Sequence, residues 1–115
     1  MVLRRHQKES RAHARAPYRE SVRYFEWDRA RQAQGVEIGA GGMFLKTSAP
    51  LPEGRMVTLR LALPGTRGGF TVLARVVRTV HGGVLREPGM GVQFLDITSS
   101  ARSLIDAYVQ GRQAA

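Results

Sequence analysis

Short runs of alternating apolar and polar residues, interrupted by closely spaced glycines and prolines, dominate this sequence. Between residues 56 and 63, every second side chain is aliphatic: Val57, Leu59, Leu61 and Leu63. A period of two is typical of a β-strand with one face in a core, because successive side chains point to opposite faces. Further strand-like runs lie near residues 22–27, 36–38, 43–47, 70–80 and 90–95. About six short strands with this density of turn signals predict an antiparallel barrel or sandwich.

The first of these runs carries aromatic residues on both of its faces. Its alternation places Phe25 and Trp27 on the same face, and we predict that this face belongs to the core. The polar segment that follows, from Arg29 to Gln34, predicts a connection between strands.

The period of the pattern changes after residue 97. Thr98, Ser99 and Ser100 are residue types that cap the start of a helix, and Gly111 is of the type that ends one. The apolar residues between them share one helical face: Leu104, Ile105, Tyr108 and Val109. The sequence therefore predicts one helix after the strands.

The chain is strongly basic. It has 18 Lys+Arg against 9 Asp+Glu, a formal charge of +9 and a pI near 11.4. Apart from Lys8 and Lys46, all of these basic residues are arginines, whose planar forks suit phosphates and flat rings. Such a chain suits nucleic acid, a nucleotide or anionic lipid. A GC-rich genome also favours arginine codons, so composition alone does not decide the partner.

A length of 115 residues fits one domain, and a basic leader comes first. Residues 4–19 carry six positive charges and one acid, Glu9, without apolar periodicity. We therefore predict an arm or loop that has no role in the core. Pro17 favours extended geometry at Ala16, which marks the entry into ordered structure.

The sequence contains no pattern of catalytic or metal-binding residues. It has no cysteine, which excludes disulfides, thiol nucleophiles and cysteine-based zinc sites. His6, His13 and His81 lack the spacing of metal ligands, and the acidic residues are scattered. No nucleophile motif or phosphate-binding loop occurs. We therefore expect a protein that is not an enzyme and holds no metal.

No apolar run approaches the roughly 20 residues that a membrane-spanning helix needs. The first residues are charged without an apolar stretch after them, so no secretory signal is recognised. We expect a cytoplasmic protein with no membrane insertion.

Several motifs occur in a specific order along the chain. Arg11 and Arg15 form an Arg-x-x-x-Arg pair ahead of the first strand, and Glu37 and the glycine-rich turn at 39–42 follow. Downstream lie Gly54-x-x-Val57-x-Leu59 and Gly91-Val92-Gln93-Phe94. Together these motifs resemble the PilZ family, whose pattern is Arg-x-x-x-Arg followed by (Asp/Asn)-x-Ser-x-x-Gly. The resemblance extends from Arg11 to Val109.

The resemblance implies an all-β fold with a terminal helix, namely a small six-stranded antiparallel β-barrel plus a C-terminal α-helix. It divides the chain into a basic N-terminal arm at 1–17, a PilZ-like barrel at 18–97 and the helix of the same domain at 98–112. It also implies one ligand, the bacterial second messenger cyclic di-GMP, and no other cofactor. The implied ligand-binding residues are Arg11, Arg15, Glu37, Gly39 and Gly42.

Two positions of the turn motif depart from the family pattern. Glu37 stands where the family has Asp or Asn, and Gly39 stands where it has Ser. Glu37 keeps a carboxylate on a longer side chain, whereas Gly39 has no hydroxyl. The loss of one neutral hydrogen bond lowers affinity by up to about tenfold. We therefore expect a weakened cyclic di-GMP site.

Three functions stay open on the sequence alone. The first is a PilZ-domain cyclic di-GMP receptor that signals to a protein partner of unknown identity. The second is a PilZ-like adaptor that no longer binds the ligand and acts through protein contacts in motility or pilus regulation. The third is a basic nucleic-acid-binding barrel, with Tyr24, Phe25 and Trp27 available for base stacking.

Overall fold

The structure, a computed structural model, describes residues 14–114. Within these residues the elements are β1 (Arg15–Pro17), β2 (Ser21–Glu26), β3 (Arg29–Gly39), β4 (Gly42–Lys46), β5 (Met56–Leu61), β6 (Phe70–Val80), β7 (Gly89–Asp96) and the helix α1 (Ser99–Ala114). The predicted order of strands followed by one helix is confirmed for this part of the chain.

Six of the described strands close into a barrel. Neighbours pair antiparallel in the order β3-β2-β5-β6-β7-β4, and β4 pairs back with β3. Closure joins the two edges of the sheet and so removes exposed edges that would invite pairing with other chains. The predicted six-stranded barrel is confirmed, and the short strand β1 is added to it along β3.

The antiparallel pairings assign each connection to one end of the barrel. The β3–β4 turn, the β5–β6 loop and the start of α1 lie at one end, which we call the upper end. The β2–β3 turn, the β4–β5 loop and the β6–β7 loop lie at the opposite, lower end.

The core consists of the inward side chains of the strands together with one side of the helix. The alternation seen in β5, β6 and β7 is confirmed by burial of Val57, Leu59, Leu61, Leu63, Val72, Ala74, Val76, Met90, Val92 and Phe94. Burial of these aliphatic and aromatic groups is the main term that stabilises a domain of this size.

The prediction that the basic leader has no role in the core is wrong for its last residues. Ala16 and Tyr18 are buried, with 2% and 0% of their surfaces exposed. They reach the core because β1 pairs with β3, and because the ring of Tyr18 packs against Gly35, where a Cβ atom would overlap it. The Tyr18 hydroxyl donates a 2.6 Å hydrogen bond to the Ala62 carbonyl. Burial raises the pKa of Tyr18 to about 12.

The segment from Arg29 to Gln34, predicted to be a connection, is the first half of β3. It pairs with β2 from Glu26↔Arg29 to Ser21↔Gln34. Its only buried residue is Ala33. A strand whose inward position holds a methyl group gives little hydrophobic signal, although its backbone hydrogen bonds are supplied by β2.

Trp27 does not belong to the core, contrary to the prediction. It is 92% exposed and sits with Asp28 in the tight turn between β2 and β3, at the lower end. Its φ of 60° lies in the left-handed region, which is unfavourable for a bulky residue. Phe25, on the same strand face, is only partly buried. The alternation failed here because the turn begins one residue before the pattern ends.

The helix begins where predicted, because the Thr98 hydroxyl accepts a 3.1 Å hydrogen bond from the amide of Ala101. It continues past Gly111, which was predicted to end it. Gly111 keeps helical geometry, and a glycine lowers helix propensity without ending a helix by itself. Leu104 is 42% exposed, so the predicted apolar face is narrower: Ile105 and Val109 are buried.

The helix packs against β1 and β3. Tyr108 is central to this contact, since its hydroxyl donates a 2.6 Å hydrogen bond to the Pro17 carbonyl. Its ring meets that of Tyr18 edge-to-face, with centroids 6.2 Å apart. Over residues 14–114 no helix is both long enough and apolar enough to cross a membrane.

Candidate ligand-binding site

The turn between β3 and β4 forms one wall of an open groove at the upper end of the barrel. Gly39 and Gly42 face each other across this turn, which contains Ala40 and Gly41. The Gly41 carbonyl accepts a 2.9 Å hydrogen bond from the amide of Phe94. A Cβ atom on Gly42 would overlap the Val92 carbonyl oxygen. Glycine at position 42 therefore lets the turn lie directly on β7.

Arg15 lies at the mouth of this groove. Strand β1 runs antiparallel to β3, with Arg15 opposite Gly39 and Pro17 opposite Glu37. The Arg15 guanidinium donates a 3.0 Å hydrogen bond from Nη1 to Oε2 of Glu37. The two side chains are 53% and 42% exposed, so this ion pair contributes at most about 1 kcal/mol. It places Nη1 of Arg15 beside Glu37, which precedes the glycine-rich turn on β3.

Gly39 allows β1 to approach β3 closely. A Cβ atom on Gly39 would lie 2.6 Å from the Ala14 carbonyl oxygen and 3.3 Å from Cγ of Arg15. Real Cβ atoms do not approach a carbonyl oxygen this closely. The serine of the family pattern therefore does not fit at this position unless β1 shifts.

The groove has a volume of about 880 Å³, within the range of pockets for small molecules. Four predicted ligand-binding residues line it together: Arg15, Glu37, Gly39 and Gly42. The fifth, Arg11, lies outside the described residues. The structure thus brings Arg15 and the turn motif to one place, although 22 positions separate Arg15 from Glu37.

Sequence reasoning missed three residues that also line the groove: Val77, Gln93 and Arg102. Val77 is the extra residue of a β-bulge, because the register between β6 and β7 shifts between Val76 and Arg78. Bulges commonly re-aim side chains beside binding sites, and Val77 is 48% exposed. Gln93 occupies an outward position on β7, next to the inward Val92. Arg102 lies in the first turn of α1.

The remaining candidate residues are distributed differently. Among the aromatic residues weighed for base stacking, Tyr24 is 1% exposed and Trp27 lies at the lower end. They do not form one stacking surface with the groove. Over residues 14–114 no group of three or more His, Cys, Asp or Glu side chains has the arrangement of a metal site.

The protein-family comparison decides the family. The PilZ domain model matches residues 9–111, which is most of the chain. The chain belongs to the PilZ domain family. This match includes both arginines of the arm motif and the complete turn motif. PilZ domains are binding and adaptor domains, and their family is linked to cyclic di-GMP signalling and motility regulation.

Solved structures support the fold of this PilZ domain. The Bacillus subtilis inhibitor of motility, MotI/DgrA, is 17% identical with a TM-score of 0.77, over 89% of this chain and 50% of that one. This chain therefore spans half the length of MotI/DgrA. The PilZ domain of Escherichia coli YcgR, solved with c-di-GMP, is 14% identical with a TM-score of 0.66, over 88% of each chain.

A third similar structure is the PilZ domain of CeSA from a cellulose-synthesizing bacterium. It is 19% identical with a TM-score of 0.61, over 86% of this chain and 97% of that one. At these identities the likeness concerns the fold alone. No curated protein sequence matches the chain significantly.

Proposed function

We propose that this PilZ domain is a cyclic di-GMP receptor that binds the dinucleotide in the upper groove and signals to a protein partner. The ligand-binding residues are Arg11, Arg15, Glu37, Gly39 and Gly42. One observation carries the proposal: β1 holds Arg15 at the mouth of a groove whose wall is the glycine-rich turn.

The chemistry of these groups suits a guanine dinucleotide. A guanidinium fork pairs with the O6 and N7 edge of guanine, neutralises phosphate and stacks on a purine face. The Glu37 carboxylate accepts hydrogen bonds from the guanine N–H groups. Gly39 and Gly42 carry no side chain, so β1 and β7 pack directly against the turn that lines the groove.

When the ligand competes for the Nη1 donor of Arg15, the ion pair with Glu37 is exchanged for a contact with the ligand. This exchange costs little because both side chains are about half exposed and already largely hydrated. The missing hydroxyl at Gly39 removes one hydrogen bond, which lowers affinity by up to about tenfold. We therefore expect saturable but weakened binding.

The alternative is a PilZ adaptor that no longer binds cyclic di-GMP and acts through protein contacts in motility or pilus regulation. One observation favours the adaptor. The Ala14 carbonyl lies beside Gly39, in the space that the serine side chain of the family pattern would need. MotI/DgrA is described as an inhibitor of motility, and that activity belongs to that protein.

Calorimetric titration of the purified chain with cyclic di-GMP at moderate salt separates the two functions. For a receptor we expect saturable heat that Arg15→Ala abolishes or weakens at least tenfold. Arg86→Ala is the matched control, since Arg86 is an exposed arginine in the β6–β7 loop at the lower end. Absence of heat at high micromolar ligand, with the folded state verified by circular dichroism, identifies the adaptor.

A further inference from the structure

Arg102 is the one arginine of α1 that lines the upper groove, among the described residues. It is exposed, and its guanidinium forms no hydrogen bond or ion pair with any residue between 14 and 114. It enters the groove from the helix, whereas Arg15 enters from β1. The groove therefore has arginines on two different elements.

The charges of the groove lining are not balanced. Among the described lining residues, the ionised groups are Arg15, Glu37 and Arg102. Arg15 and Glu37 neutralise each other through their 3.0 Å ion pair. Arg102 is left as the net positive charge of the lining, which suits an anionic ligand.

Helix stability does not explain an arginine at this position. The first turn of a helix favours acidic side chains, because the helix dipole is positive at that end. The first turn of α1 contains no acidic residue and has Arg102 instead. The helix dipole therefore opposes a positive charge at this position, and a bound anion in the groove would offset that repulsion.

We propose that Arg102 is a ligand-contacting residue that binds a phosphate of the dinucleotide from the helix side. This inference rests on the proposed receptor function and adds a residue outside both family motifs. Arg102 supplies a charge-assisted contact, the stronger kind of hydrogen bond, at a site that has lost the neutral contact of the serine hydroxyl. It also connects the bound ligand directly to α1.

Titration of cyclic di-GMP into wild type, Arg102→Ala, Arg102→Lys and Arg86→Ala tests the proposal. We expect Arg102→Ala to raise Kd about tenfold to a hundredfold, the range for loss of one charge-assisted contact. Arg102→Lys should keep most of the affinity, because lysine binds phosphate as a point charge. Arg86→Ala removes the same charge at the lower end and should leave Kd within about twofold.

The outcomes separate this inference from the proposed function. Binding by wild type with an unchanged Kd for Arg102→Ala overturns the role of Arg102 and leaves the receptor function standing. If Arg102→Lys loses as much affinity as Arg102→Ala, the contact depends on the planar guanidinium fork. That result overturns the assignment of a phosphate contact. Absence of binding by folded wild type overturns both. Because Arg102 is exposed, all variants should share the melting temperature of wild type.

Discussion

The Ala14 carbonyl oxygen lies 2.6 Å from the position that a Cβ atom would take on Gly39. The strand that carries Arg15 is therefore seated against β3 in a way that only glycine permits. The departure from the family serine is thus linked to the position of β1, and its effect is larger than the loss of one hydroxyl group.

Gly39→Ser restores the family residue but should destabilise this chain. The new side chain displaces Ala14 and β1, and overpacking of this kind costs about 1–3 kcal/mol. We expect a lower melting temperature by differential scanning fluorimetry and no gain in cyclic di-GMP affinity by calorimetry. Gly83→Ser is the matched control, because nothing lies within 4 Å of a Cβ atom at Gly83. If Gly39→Ser binds cyclic di-GMP more tightly at an unchanged melting temperature, β1 moves to admit the side chain at little cost, which contradicts the prediction.

The stability of the fold should depend on Tyr18 at alkaline pH. Burial raises the pKa of Tyr18 in the folded state to about 12, above its usual value of 10.0. The unfolded chain therefore loses this proton first, and the free energy of unfolding decreases between pH 10 and pH 12. Two pH units correspond to an upper limit of about 3 kcal/mol. Urea unfolding at a series of pH values measures the decrease.

Tyr18→Phe provides the comparison for this pH dependence. Phenylalanine at position 18 cannot ionise, so the stability of the variant should fall less steeply above pH 10 than that of wild type. It also loses the hydrogen bond to Ala62, which lowers stability at neutral pH by about 0.5–1.5 kcal/mol. If the free energy of unfolding depends on pH in the same way in both proteins, the alkaline loss of stability does not come from Tyr18.

Tyr108→Phe should loosen the helix from β1 while keeping the ring contact with Tyr18. The variant removes the hydrogen bond to Pro17, which is worth about 0.5–1.5 kcal/mol. We expect a small decrease in global stability and faster amide hydrogen exchange in α1. Unchanged exchange throughout the helix would mean that Ile105 and Val109 alone hold it in place.

Trp27→Asn should stabilise the chain or leave it unchanged, despite the removal of a large aromatic ring. Trp27 is 92% exposed and has a φ of 60°, a conformation that asparagine adopts more readily. Strain of this kind costs on the order of 1 kcal/mol. Val84→Asn, at a residue 99% exposed in another loop of the lower end, is the control for loss of an exposed apolar side chain. A clear drop in melting temperature for Trp27→Asn alone would show that the ring makes stabilising contacts.

The barrel could be predicted from the sequence because its signal is repeated. Leu59 and Val76 lie at inward positions of strands that are long enough to show a period of two. The order of the motifs then identified the family, and with it the place where Arg15 and the turn meet. Each of these features is encoded within a few neighbouring residues or in a recurring pattern.

The features that the sequence did not predict depend on distant contacts. Strand β1 has only three residues, too few to show a period, and Ala16 is buried because β3 lies beside it. Val77 faces the groove because of a register shift between two strands. Arg102 is an ordinary helical arginine in the sequence, and only the packing of α1 brings it to the groove.

The hydrogen bond from Tyr108 to Pro17 joins the helix to the strand that carries Arg15. Arg15 lies two positions before Pro17 in β1, which is roughly 7 Å of extended chain. Strand β1 and the helix are therefore joined to each other by side-chain contacts at the surface of the closed barrel. A displacement of β1 is therefore expected to reach the helix, whose surface carries the half-exposed Leu104.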